Sequence, residues 1–150
     1  MNLWTYVGLP VYLKRRLQSV QNASARLIYR LRRSEHISDA LVSLHWLRVP
    51  ERIEYKIAVL VYRFWMDWHH VIWHHVITRV DNLPGRRAPR SASSNRLHIP
   101  PVRLSMVGTR AFSVAGPRIW NNLKEHLTSA GTLHTFCHRL KTHLFQGSYS

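Results

Sequence analysis

Eleven histidines, one cysteine and seven carboxylates are the side chains of this sequence best suited to hold a metal or move a proton near neutral pH. Their spacing decides what they can do together. His70 and His74 stand four residues apart, so on a helix both imidazoles would share one face, as a common metal ion requires. No Glu lies between them and no third ligand is evident, so the pair is a weak candidate and no metal site is expected. Both belong to Trp68-His69-His70-Val71-Ile72, which is copied at once as Trp73-His74-His75-Val76-Ile77. A shift of five residues turns a helix by about 140°, so the copy cannot repeat the packing of the original, and a short duplication of DNA accounts for it.

Cys137 has His134, His138 and His143 nearby, the ingredients of an activated thiolate, but it falls on an apolar stripe and reads as a buried structural cysteine. As the sole cysteine it excludes an intrachain disulfide and any multi-cysteine zinc site. The carboxylates never occur as an adjacent pair, whereas two-metal phosphoryl chemistry needs neighbouring acids to hold ions about 3.5–4 Å apart. A phosphate-binding G-x-x-x-x-G-K-[ST] loop, a G-x-S-x-G elbow and an H-E-x-x-H helix are all missing. The expectation is a chain without catalytic residues or cofactor.

What the sequence does carry in excess is positive charge. Lys and Arg number 22 against 7 Asp and Glu, a formal +15, and such a balance calls for a polyanion. Nucleic acid is the first candidate and an anionic membrane surface the second. The cations concentrate in two places. Lys14, Arg15, Arg16, Arg26, Arg30 and Arg33 lie in a stretch with no acid before Glu35, and Arg86, Arg87 and Arg90 lie in a Pro/Ser-rich segment that can follow a phosphate backbone without fixed geometry. Either group also has a plainer reading, as a solvated helix face or an ordinary surface loop. With 45% apolar residues, including six Trp and six Tyr, the chain is too hydrophobic for intrinsic disorder.

Those side chains must be positioned by helices. The fold class expected is mainly α, several amphipathic helices with a Pro/Arg/Ser linker and two short strands before the C-terminal helices. Three regions follow: a basic helical part at 1–80, a flexible cationic linker at 81–96 and a small C-terminal helical module at 97–150. Pro10 precedes Leu13, Leu17, Val20, Leu27 and Leu31, widened by Ala23 and Ile28, which predicts an amphipathic helix over 11–33 with its basic residues facing away. Ser38 reads as the N-cap of a short connecting helix ending near His45-Trp46. Pro50 and Glu51 open a long helix whose face is Ile53, Ile57, Leu60, Val61, Phe64, Trp68, Val71 and Ile72. Leu97–Ile99 and Leu104–Val107 are the two extended segments, Pro117 suits the start of a helix seating Ile119, Trp120 and Leu123, and Thr132 caps a last helix with the stripe Leu133, Phe136, Cys137, Leu140 and Leu144. The core residues expected are Trp46, Phe64, Trp120 and Phe136.

The longest purely apolar helical stretch, Ile57 to Tyr62, is far short of the ~20 residues of a membrane span. Residues Leu3 to Leu13 are apolar, but no charge precedes them and no small-residue cleavage site follows before Lys14, so they do not read as a secretory signal. An intracellular place, nucleus or cytoplasm, is expected.

Several strings carry a resemblance: GLPVYLKRRLQSVQNASARLI at 8–28, HIS with LHWL at 36–47, ERIEYKIAVLVYRF at 51–64, VGTRAFSVAGPRIWNNL at 107–123 and LHTFCHRLKTHLF at 133–145. In order and over about residues 7–146 they resemble the tail that follows the polymerase core in LINE-type (non-LTR) retrotransposon reverse transcriptases. The resemblance implies a fragment of an RNA-directed DNA polymerase whose catalytic aspartates lie upstream, so no catalytic residue carries over. It implies nucleic acid, RNA or DNA, and the upstream polymerase domain of a longer polyprotein as partners. Arg48 stands where the family has Pro after LHWL, and the Trp-His-His-Val-Ile repeat replaces a Gly-x-Ala-Pro break. Two other readings stand beside this one: a non-functional relic of the element, and a mitochondrially imported protein, since 11–33 is Arg-rich, amphipathic and free of acids.

Overall fold

The computed structural model of the chain describes residues 9–66, 76–80, 95–102 and 111–149. Among these the chain is mainly helical: α1 Val11–Tyr29, α2 Ser38–Ser43, α3 Val49–Met66, α4 Phe112–Asn122, α5 Glu125–Thr128 and α6 Leu133–Tyr149. No helix of the described residues is long and apolar enough to cross a membrane.

The core forms where α3 meets α4 and α6. Tyr62 is fully buried, its ring stacked on Phe136 with centroids 4.4 Å apart, and Trp120 closes the group at 6.2 Å from Tyr62 and 5.7 Å from Phe136. Ala58, Val61, Leu97, Ile119, Leu127 and Leu140 fill in around them. Elements on both sides of the expected linker therefore share one cluster. A buried phenol must place its hydroxyl, and Tyr62 donates it to the Ala130 carbonyl at 2.7 Å, tying α3 to the turn before α6. The Trp120 indole N–H donates to the Asn95 carbonyl at 2.7 Å, and the Asn121 carboxamide pairs with both backbone groups of Leu97.

Local signals account for the ends of most helices. Thr132 caps α6 as expected, its Oγ1 accepting from the Thr135 N–H, and Phe136, Leu140 and Leu144 are buried along the anticipated stripe while Cys137 is half-buried. α1 and α2 both end on a left-handed residue, Arg30 and His45, each with φ 52°. In each case the next N–H reaches back five residues, Leu31 to the Arg26 carbonyl and Trp46 to that of Leu41, as in the Schellman motif. This is why α1 stops at Tyr29 instead of continuing to 33.

Other expectations change as well. α1 docks by Gln21 and Ala25, its two buried residues, while the apolar stripe faces outward, with Val20 65% and Leu27 81% exposed. The face of α3 is turned toward Ala58, Val61 and Tyr62, leaving Leu60 exposed and Phe64 half-buried, edge-on to Phe112. Pro117 lies inside α4, not at its start; the helix begins five positions earlier at Phe112. Ser38 is the first residue of α2 and not its cap. Gly116 is required by packing, because a Cβ there would meet Val61 Cγ2 at 2.9 Å. Of the two expected extended segments, Leu97 makes one antiparallel bridge, to Arg79, and 104–107 lies outside the described residues. Trp46 is half-buried and packs on a second, smaller cluster of Ala25, Ala40 and Leu41, whereas Trp120 and Phe136 are at the centre of the main one.

This packing sets an order of costs. Trp120→Ala or Phe136→Ala should lose about 3–5 kcal/mol in denaturant unfolding, and Tyr62→Phe about 1–3 kcal/mol, because it strands the Ala130 carbonyl. Equal midpoints for wild type and Tyr62→Phe would show that the hydroxyl bond does not hold the turn.

Candidate functional site

The cationic residues singled out from sequence do not form one strip. Lys14 and Arg15 lie on the side of α1 that faces α2, where they line a cleft of about 530 Å³. Arg16 is exposed on a different face, beside the outward apolar stripe. Arg26 is half-buried and structural: its guanidinium donates to the carbonyls of Arg32 and Glu35, closing the turn after the helix. Arg30 is the left-handed cap residue, and Arg33 is exposed in the same turn. Glu35, the first acid after the basic stretch, also enters this turn, accepting from the Arg32 N–H, so a carboxylate stands beside these cations. Arg86, Arg87 and Arg90 lie outside the described residues, as do His70 and His74.

α1 is held by amides. Gln18 Oε1 accepts from the Val49 N–H at 2.8 Å, and Gln21 Nε2 donates to the Leu47 carbonyl at 2.8 Å. Gln18 Nε2 in turn donates to Gln21 Oε1 and Asn22 Oδ1, so the ladder fixes its own orientation. These bonds satisfy the backbone of the connection from α2 into α3, which would otherwise be buried without partners. With these amides and Ala25 making the contact, most of the leucine stripe is left outside.

The connection brings in a cation that sequence reasoning passed over. Arg48 lines the cleft with Lys14 and Arg15, its Cζ 5.1 Å over the Tyr149 ring and its Nη2 reaching Ser38 Oγ at 3.5 Å. Tyr149 is itself tied down, its hydroxyl donating to the Trp46 carbonyl at 2.6 Å. The Tyr149 phenol pKa is raised, first by burial and also by the Glu51 charge, against the Arg48 hydrogen bond and charge that pull it down. On the other side of α1 a groove of about 440 Å³ runs between Leu17, Val20, Trp46 and Ile53, with Arg52 and Lys56 on it. Arg48, Arg52 and Lys56 follow one another at intervals of four, a signal present in the sequence: Arg48 directly precedes α3, and Arg52 and Lys56 stand a turn apart within it.

A third cavity, of about 420 Å³, gathers Glu51, Glu54, Lys124 and His143. The two acids are three residues apart, so one helical turn of α3 brings them together although they are not adjacent in sequence. Burial and the Glu51 charge raise the Glu54 pKa. His143 is depressed, first by burial and then by Lys124 and His126, whose ring lies 6.5 Å away. Among the described residues no group of three or more His, Cys, Asp or Glu is placed to hold a metal ion.

No protein-family model, curated protein or solved structure matches this chain.

The His143 environment has a measurable consequence. Its folded pKa lies below the ordinary 6.5, so the folded state binds fewer protons, and the stability this gives is present above 6.5 and lost as the pH falls through the depressed value. Glu54, raised above 4.5, works in the opposite sense at lower pH. The melting temperature of wild type should therefore fall more between pH 7.5 and 5.5 than that of His143→Gln, and equal falls would contradict the assignment.

Proposed function

We propose that the chain is a non-catalytic nucleic-acid-binding appendage of a LINE-type retrotransposon reverse transcriptase, which grips RNA or DNA with low sequence specificity and docks beside the polymerase domain of a longer polyprotein, in the nucleus or cytoplasm. One observation carries the binding part. The two clefts that flank α1 hold Lys14, Arg15 and Arg48 on one side and Arg52 and Lys56 on the other, and among the described residues no carboxylate lines either. Cleft linings of one sign, backed by the formal +15 of the chain, attract phosphate without reading bases. The outward stripe of α1 supports the docking part. Leu17, Val20, Leu27 and Ile28 are all exposed, a contiguous apolar face of the kind that marks a protein contact. The family assignment rests on the sequence strings alone.

Phosphate binding of this kind is driven by counterion release. With about six contacts, log K for a single strand should fall against log salt with a slope of roughly −4. Arg15→Gln, Arg52→Gln and Lys56→Gln together should flatten that slope by about two units and weaken every sequence alike. Absence of binding near 50 mM salt, or loss confined to one sequence, would defeat the proposal.

A further inference from the structure

The cleft between α1 and α2 has a chemistry that a phosphate-gripping surface does not need. Three cations, Lys14, Arg15 and Arg48, line it together with four apolar residues, Val11, Ile37, Leu41 and Pro50, and the amides of Gln18 and Asn22. Leu41 is 1% exposed and forms part of a packed cluster with Ala25 and Ala40, so that part of the lining is firm. The volume, about 530 Å³, falls in the range of sites that enclose a small organic ligand, roughly 300–1,000 Å³. A bare phosphate fills little of such a space, and a duplex keeps its bases stacked and out of reach.

From this we infer that the cleft takes one unstacked nucleotide of a single strand, its base against Val11, Ile37, Leu41 and Pro50 and its phosphate at Lys14, Arg15 and Arg48. The inference rests on the nucleic-acid reading above and adds a preference for single strands. Arg48 is the residue best prepared for the phosphate. The Tyr149 ring beneath its guanidinium and the bond to Ser38 hold it in place before any ligand arrives, and Tyr149 is in turn fixed to the Trp46 carbonyl. A guanidinium held in this way loses less freedom on binding than a solvated one. Asn22, also in the lining, presents a carboxamide that suits the edge of a base, and only its Oδ1 is committed to Gln18 among the described bonds. A carboxamide and apolar side chains accept any base, so sequence preference stays low.

The test uses the full chain and three fluorescent probes of equal phosphate count: a mixed-sequence single strand, a single strand made wholly of abasic sites, and a duplex. Burying roughly 60 Å² of base surface corresponds to about tenfold in affinity, so the single strand should bind about tenfold tighter than the abasic strand at the same salt. Val11→Trp fills the cleft from its exposed rim, where Val11 is 62% exposed and the core is untouched. It should abolish the advantage of the base-bearing strand and leave abasic binding and its salt slope unchanged. Arg48→Gln should flatten the slope for both strands by about 0.7, the share of one contact. Equal affinity of wild type for base-bearing and abasic strands, or an unchanged ratio in Val11→Trp, would overturn the cleft while leaving the electrostatic reading standing. Failure of all three probes to bind near 50 mM salt would overturn both. A free mononucleotide that competes for the single strand only in wild type, and not in Val11→Trp, would support the same site.

Discussion

Tyr62 lies against Phe136 and Trp120, and its hydroxyl reaches the Ala130 carbonyl 68 residues along the chain. Three helices, α3, α4 and α6, therefore have one shared point of closure. A phenol is suited to this place because its ring fills the apolar space while its oxygen satisfies a backbone group that burial would otherwise leave unpaired. The contact is non-local, so it forms only when the segments on both sides of residues 81–94 have come together. α6 then extends the order outward. Its last residues carry Phe145, which stacks on His45, and Tyr149, which holds both the Trp46 carbonyl and the Arg48 guanidinium. The candidate surface thus takes its geometry from the core through the C-terminal helix.

The attachment of α1 is of a different kind. Gln18 and Gln21 clip it to the backbone at Leu47 and Val49, and Ala25 packs on the small cluster of α2. Net hydrogen bonds of this kind contribute about 1 kcal/mol each, far less than the aromatic group. α1 is accordingly the less firmly held helix, with an apolar stripe turned outward and cations on either side. The proposed function uses two faces of this helix: nucleic acid along Lys14 and Arg15, and a protein surface along Leu17, Val20 and Leu27.

How much of this could be read from the residues depended on whether the signal was local. α6 was legible save for Cys137, expected buried and found half-buried, since a Thr N-cap and a stripe at i, i+3, i+4 and i+7 both act within one helix. The mainly helical class followed from the same periodicities. The face of α1 was not legible, because a leucine stripe announces a helix but does not say that two glutamines will satisfy a backbone segment some 30 residues away. Nor was Tyr62, since α3 has α1, α4 and α6 as neighbours, and a helix with several neighbours has no single apolar face. Of the site residues, Lys14 and Arg15 could be named from charge. Arg48 could not, for its value lies in Tyr149, 101 positions distant in sequence, which comes beneath it only in the fold.

The central claim is that nucleic acid is held at α1 and the start of α3, on a surface that the aromatic core supports but does not contribute to. Amide hydrogen exchange of the full chain, followed by mass spectrometry with and without a saturating single-stranded oligonucleotide, tests it most directly. The account predicts added protection in peptides from α1 and from 44–56, with those of α4 and the first three turns of α6 unchanged. Protection confined to α4 and α6, or a bound oligonucleotide that leaves α1 exchanging as before, would contradict it.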